Sequence, residues 1–307
     1  MSADEYPLRF DCAGAPLVGI VHPADAAAGD IGVVIVVGGP QYRVGSHRQF
    51  VLLARDLAAS GVPTLRFDLR GMGDSGGDFP GFEAIDEDIA AAVDAFCAAE
   101  PSVRRIVLWG LCDGASAIMF YAHRDPRITG IAVANPWVRT EEGYSQTQLR
   151  HYYLERLLDG RFWRRLVSGD VDLVDAVASF AATLKKAMRG RTAGAGGAEP
   201  VADSAIDPTA SLPDRMAQGF AAFGGPALLI ISGNDLTARE FEDAVAKSTQ
   251  WRALLARTDV MRRDIAEADH TMSRRDWADV AAEATTGWIA TLGGATAVAA
   301  EQRRHGT

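Results

Sequence analysis

The stretch Ile106-Val107-Leu108-Trp109-Gly110-Leu111-Cys112-Asp113-Gly114-Ala115-Ser116-Ala117-Ile118 decides the fold. Residues 104–109 read as a buried strand and residues 112–122 as a helix, with Gly110 and Gly114 flanking a cysteine between them. A sharp strand-to-helix turn requires glycine at such places, one to permit strained dihedrals and one to avoid a Cβ clash. The turn lifts the middle side chain into the open at the positive end of the following helix, where a thiolate is favoured over a thiol. The alternative is a small buried cysteine in a glycine-rich turn, and the strand-to-helix context argues for the exposed one.

Working outward, the same alternation recurs. Tyr6 to Cys12 and Pro16 to His22 read as two strands joined at Ala13-Gly14-Ala15, and Ile31 to Val37 as a buried strand ending in Gly38-Gly39-Pro40. Phe50, Leu53, Ala54 and Leu57 have helical spacing and are stopped by Gly61. Val62 to Asp68 is the next strand, Phe82 to Ala98 a helix and Ile128 to Ala134 a strand. Later come the strand Ala227 to Ser232, the helix Ala238 to Leu255, the strand Val260 to Ile265 and a last helix from about Arg274 to Leu292. Strands alternating with helices at this pitch predict an α/β fold, a parallel sheet covered on both faces.

The alternation breaks over residues 138–219, which carry Arg- and aromatic-rich helical patterns without a strand. Within them, residues 189–213 are rich in Gly, Ala, Ser, Asp and Pro and are expected to be mobile. The expected organisation is therefore a core of residues 1–137 and 220–294, a helical cap over 138–219, and a flexible tail over 295–307. An insertion late in a sheet is where a lid over an active site would sit.

Composition narrows the function classes. The 307 residues are 48% hydrophobic and 23% charged, ordinary for a globular protein with one large core. A net charge of −9 argues against a nucleic-acid partner, because phosphate binding needs a basic face. No apolar run is long enough to span a bilayer, and Met1 to Glu5 has neither the basic nor the apolar part of a signal peptide, so the expected location is cytoplasmic. Cys12, Cys97 and Cys112 are too few and scattered for a disulfide framework, and no spacing suits a metal; no cofactor is expected.

A cysteine nucleophile needs a base, and the base an orienting acid. His22, His47, His123 and His151 fall on or beside surface elements and His305 in the tail. His270 follows the strand Val260 to Ile265, and Asp235 follows Ala227 to Ser232, so both lie at carboxyl ends of strands, where doubly wound sheets place their sites. Read singly, Asp235 is also an ordinary turn aspartate and His270 a helix-start residue. The order nucleophile, acid, histidine, each at a strand end, favours a triad.

These features resemble the α/β-hydrolase superfamily, and more closely the exosortase A system-associated hydrolase 1 family. The resemblance is carried by Gly38 to Phe50 (Gly-Gly-Pro-Gln-Tyr-Arg-Val-Gly-Ser-His-Arg-Gln-Phe), Arg66 to Ser75, the Cys112 elbow and the His270 loop. It implies a mostly parallel eight-stranded core with a helical cap, and Cys112, Asp235 and His270 as catalytic triad. A cysteine at the elbow, where most of the superfamily has serine, is also similar to dienelactone hydrolases and polyhydroxyalkanoate synthases. The oxyanion hole is expected from the backbone amide of Asp113 and one amide of the loop after Ile31 to Val37. Pro40 has no N–H, which leaves Gly39, with Gln41 in reserve. The superfamily usually shows His-Gly here, whereas this chain has Val37-Gly38. Arg43, His47 and Arg70 are candidates to meet an anionic substrate group, or are simply solvated or structural.

Sulfur as nucleophile gives a thioester acyl-enzyme. The expected reaction is hydrolysis of an ester, thioester or lactone of a small-molecule acyl substrate. The alternative is transfer of the acyl group to an alcohol, amine or glycan acceptor, and the third reading a catalytically silent binding protein on the same fold.

Overall fold

Side chains of the central strands divide between two apolar clusters. Along β3 (Ile31–Val36), Ile31, Val33 and Ile35 join one cluster, while Val34 and Val36 join the other. Along β5 (Arg105–Leu111), Val107, Trp109 and Leu111 go with the first, and Ile106 and Leu108 with the second. Strand side chains alternate between faces, so a strand apolar at every position needs cover on both. The computed structural model describes residues 5–24, 29–39, 41–138 and 205–304.

The remaining strands are β1 (Tyr6–Cys12), β2 (Ala15–His22), β4 (Thr64–Phe67), β6 (Ile128–Ala134), β7 (Ala227–Ser232) and β8 (Val260–Ile265). They form one eight-stranded sheet in the order β1-β2-β4-β3-β5-β6-β7-β8. Only β2 runs against its neighbours; the other adjacent pairs are parallel. The helices are α1 (Gln49–Ala59), α2 (Asp86–Ala99), α3 (Asp113–Tyr121), α4 (Leu212–Phe223), α5 (Leu236–Lys247), α6 (Thr249–Leu255) and α7 (Arg275–Arg304). On one face Ile89 and Phe96 of α2, Ile118 of α3, Phe220 of α4, Phe241 of α5 and Trp251 of α6 cover the sheet. Phe50 and Leu57 of α1 and Trp288 and Ile289 of α7 cover the other. From β3 the chain steps outward to β4 and then back past β3 to β5. Strand order reverses there, and the crevice at the carboxyl ends of β3 and β5 is where such sheets place their ligands.

Three boundaries differ from the sequence expectation. The helix expected over Ala238 to Leu255 is two helices, broken at Ser248, whose hydroxyl caps α6 by accepting the Trp251 amide at 3.2 Å. The last helix passes Leu292 and continues through Arg304, because the Gly293-Gly294 pair is followed by alanine-rich sequence of high helix propensity. The core resumes before residue 220: α4 begins at Leu212 behind a Ser211 cap. The described residues belong to the compact unit Met1–Val138 with Ala198–Thr307. Residues 139–204, which hold most of the expected cap and the first part of the loop expected over 189–213, lie outside the described residues, as does the tail beyond Arg304. Among the described residues, no helix is long and apolar enough to cross a membrane.

Candidate active site

The elbow between β5 and α3 is built by close backbone approach. A Cβ on Gly114 would lie 2.6 Å from the Val36 carbonyl, and one on Gly110 would lie 2.8 Å from the Gly114 carbonyl carbon. Only glycine admits such contacts. Between them Cys112 sits at φ 60° and ψ −127°, a conformation costly for any residue with a side chain. Three backbone bonds hold it there: the Cys112 amide donates to Ala134 at 3.0 Å, and the amides of Ser116 and Trp137 each donate to the Cys112 carbonyl at 3.2 Å.

β7 and β8 deliver the second half. Asp235 caps α5, its carboxylate accepting the amides of Thr237 and Ala238, both at 3.1 Å. The same carboxylate, only 6% exposed, lies 2.8 Å from His270 Nδ1. An imidazole with Nδ1–H on a carboxylate presents Nε2 to whatever stands opposite. Cys112 stands within hydrogen-bonding reach of the ring. Burial works to lower the His270 pKa, but the hydrogen bonds and charges of Asp235 and Cys112 outweigh it and push it up to about 10. Neighbouring Asp269 turns away, accepting the Ser273 amide at 3.0 Å and bonding the Ser273 hydroxyl.

The loop after β3 departs from the expected oxyanion hole. The Gly39 amide donates to the Asp113 carboxyl group, which also accepts the Gly114 amide at 3.0 Å. The Gln41 amide donates within its own loop, to Gly39 at 2.8 Å. Neither expected loop amide is therefore free, and the Asp113 amide, at the start of α3, bonds its own carboxyl group. Burial raises the Asp113 carboxyl pKa, against the lowering effect of the Gly39 and Gly114 amides.

Arg43 and Arg70 serve the scaffold rather than an open pocket. Arg43 bonds the buried Asp68 through its guanidinium and, at 2.6 Å, through its amide; it also pairs with Asp74 at 2.7 Å. Arg70 grips the buried Asp88 at 2.8 and 2.9 Å and reaches Glu87 at 3.1 Å. Each buried carboxylate needs such a partner. Exposed His47, at φ 54°, is near enough to Asp269 to favour its ionised form. Asn135, which the sequence reading passed over, is fully buried at the end of β6 and donates to the His270 carbonyl at 3.0 Å. Its one signal in the sequence is an Asn-Pro pair directly after a strand, on the edge where the site residues gather. Among the described residues, no group of three or more His, Cys, Asp or Glu side chains is placed to hold a metal ion.

A family model described as serine aminopeptidase, S33, matches residues 31–193, more than half of the chain. The chain belongs to the S33 serine aminopeptidase family. With that family it stands in the α/β-hydrolase superfamily, as an enzyme of α/β-hydrolase type. The S33 description names a serine, whereas the elbow of this member carries Cys112. No curated protein matches the sequence. Among solved structures, this S33 chain is similar to an esterase of Pyrococcus furiosus, with 14% identity, a TM-score of 0.61, and 94% of this chain and 91% of that one covered. It is similar to Est1E from Butyrivibrio proteoclasticus with ferulic acid bound, at 16% identity and a TM-score of 0.57, covering 92% and 98%. A third is an α/β serine hydrolase without lid from Xanthomonas campestris, at 16% identity and a TM-score of 0.52, covering 94% of each chain. At these identities the likeness is one of fold.

Proposed function

We propose that this S33-family chain is a cytoplasmic acyl hydrolase, of the exosortase A system-associated hydrolase 1 type, that cleaves a small ester, thioester or lactone through Cys112, His270 and Asp235. The observation that carries the reading is the 2.8 Å contact between His270 Nδ1 and Asp235, with Cys112 of the strained elbow within hydrogen-bonding reach of the same ring.

Cys112 Sγ, as a thiolate paired with protonated His270, attacks the acyl carbonyl carbon. The tetrahedral oxyanion takes the Asp113 amide at the start of α3, which gives up its bond to its own carboxyl group to do so. As the carbonyl re-forms, the bond to the leaving group breaks and His270 gives that group its proton, leaving a thioester on Cys112. His270, now neutral and held by Asp235, then takes a proton from water, whose oxygen attacks the thioester and releases the acid and the thiolate. Asp235 keeps the ring in one tautomer.

The test is turnover of a chromogenic acyl ester, followed by mass spectrometry of the His270→Ala variant, in which deacylation lacks its base. The expected result is an acyl mass increment on the peptide carrying Cys112. Full activity in Cys112→Ala, or an adduct on another residue, would overturn the assignment.

A further inference from the structure

β6 lies between β5, which carries the elbow, and β7, which leads to Asp235, yet it supplies no member of the triad. It ends at Ala134 and leads into Asn135-Pro136-Trp137, and between them Ala134, Asn135 and Trp137 bond both halves of the site. The side-chain nitrogen of Asn135 donates to the Ser232 hydroxyl at 2.9 Å and to the His270 carbonyl at 3.0 Å. Its side-chain oxygen accepts the Ser232 amide at 2.8 Å, and its own amide donates to Ile230 at 3.0 Å. The residue is fully buried and sits at φ 44°, a left-handed conformation that asparagine tolerates better than most side chains. On the other flank, Ala134 accepts the Cys112 amide and Trp137 donates to the Cys112 carbonyl, while the Ser116 hydroxyl donates to the Trp137 carbonyl at 2.6 Å.

The main-chain positions of Cys112 and His270 are thus both set by one four-residue segment. A buried carboxamide whose bonds are all made is rigid, because moving it leaves polar groups unpaired. The His270 carbonyl belongs to the residue whose ring faces Cys112, so a shift there tilts the ring directly.

We infer that Asn135 is a positioning residue for the acyl-transfer step: by holding the His270 carbonyl against the end of β6, it sets the approach of the imidazole to Cys112. The inference rests on the reading of Cys112 and His270 as nucleophile and base. A misplacement of about 1 Å in such a pair costs roughly 100-fold in rate.

Two substitutions test it. Asn135→Gly accepts the left-handed backbone and removes the side-chain bonds. Asn135→Asp keeps the acceptor for the Ser232 amide, but an ionised carboxylate has no hydrogen to donate to His270. For both, kcat on a chromogenic ester should fall about 10- to 100-fold, with KM within about twofold of wild type. Alkylation of Cys112 by iodoacetamide should also slow across the pH profile, a change that loss of stability alone does not produce. Wild-type kcat and alkylation profile in both variants would overturn the inference, as would joint losses in kcat and Tm with the alkylation profile unchanged. If Asn135→Gly does not fold, Asn135→Asp, closest in shape, decides. Cys112→Ala, assayed alongside, separates the two levels: activity there sinks the triad and the inference with it. Inactivity there, beside normal Asn135 variants, sinks the positioning role alone.

Discussion

Asp113 accepts the backbone amide of Gly114 on its Oδ1 at 3.0 Å, so the side chain next to Cys112 folds back over the start of its own helix. Burial raises the proton affinity of this carboxyl group relative to the unfolded chain. A carboxyl whose folded pKa is raised is tolerated best when protonated, and its ionised form costs stability as pH rises above the ordinary carboxylate range. Asp113→Asn keeps an oxygen acceptor and removes the charge. It should therefore raise Tm at pH 8 and lose that advantage toward pH 3, as followed by thermal unfolding across pH. Removing a negative charge beside the forming oxyanion should also increase turnover at pH 8. A lower Tm at pH 8 would mean that the charge itself holds the Gly39 loop.

Cys112 should be singular among the three thiols. Burial, with the charge of Asp88 adding to it, pushes the Cys12 thiol up to about 11, and burial also raises Cys97. Brief treatment with iodoacetamide and peptide mapping should find Cys112 labelled first. Cys112→Ala should cost at least about 1,000-fold in kcat with the fold intact, since triad members act as a unit. Cys112→Ser should also lose most activity, because a hydroxyl gives up its proton to a histidine far less readily than a thiol does. Labelling of Cys97 ahead of Cys112 would count against an activated thiol.

Asp235 has two tasks, and Asn separates them. Asparagine is as good a helix cap as aspartate, so Asp235→Asn should leave α5 and the Tm nearly unchanged. It loses the charge that orients His270, and kcat should fall roughly 10,000-fold, as when such a histidine adopts the wrong tautomer. Asp235→Ala should lose activity and, in addition, about 1 kcal/mol of stability with the cap. Near-normal rates in Asp235→Asn would point to another carboxylate.

His270 also makes stability depend on pH. Its pKa rises from 6.5 to about 10 on folding, so the folded chain binds this proton more tightly than the unfolded one. The stabilisation is full below pH 6.5, declines as pH rises, and is gone above about 10. The stability difference between wild type and His270→Ala should therefore be largest near pH 6 and shrink steadily to pH 10, measured by denaturant titration. A flat difference would mean that the ring is not protonated in the folded state.

The closeness of the elbow to β3 can be tested with one methyl group. Gly114→Ala forces a Cβ to 2.6 Å from the Val36 carbonyl, against backbone that has little room to yield. Destabilisation of about 1–3 kcal/mol is expected by urea unfolding. A neutral effect would show that α3 and β3 can part freely.

Strand positions were legible because fully buried strands leave β-branched apolar runs, as Ile31 to Val36 and Ile128 to Ala134 do. His270 and Asp235 were legible as neighbours because each follows one of the last two strands, which pair in the sheet. What escaped reading were side chains whose distant partners carry no local mark in the sequence. Arg43 and Arg70 look like free cations in the sequence, since nothing local marks Asp68 and Asp88 as the carboxylates that engage them. Asn135 looks like a turn residue, because its partners Ser232 and His270 lie far along the chain. Ser248 escaped for a local reason: a serine inside a helical pattern is unremarkable until its hydroxyl caps a new helix.

The order of residues along the chain adds a consequence in time. Cys112 and its glycine elbow belong to the part ending at Val138, whereas Asp235 and His270 arrive with β7 and β8. At ordinary rates of synthesis, roughly 10–30 s pass between the making of Cys112 and the making of His270. During that interval the nascent chain carries an unpartnered thiol. The imidazole proposed to pair with it joins only after β8 has been made and docked, so the proposed centre stays incomplete through the synthesis of about 150 further residues.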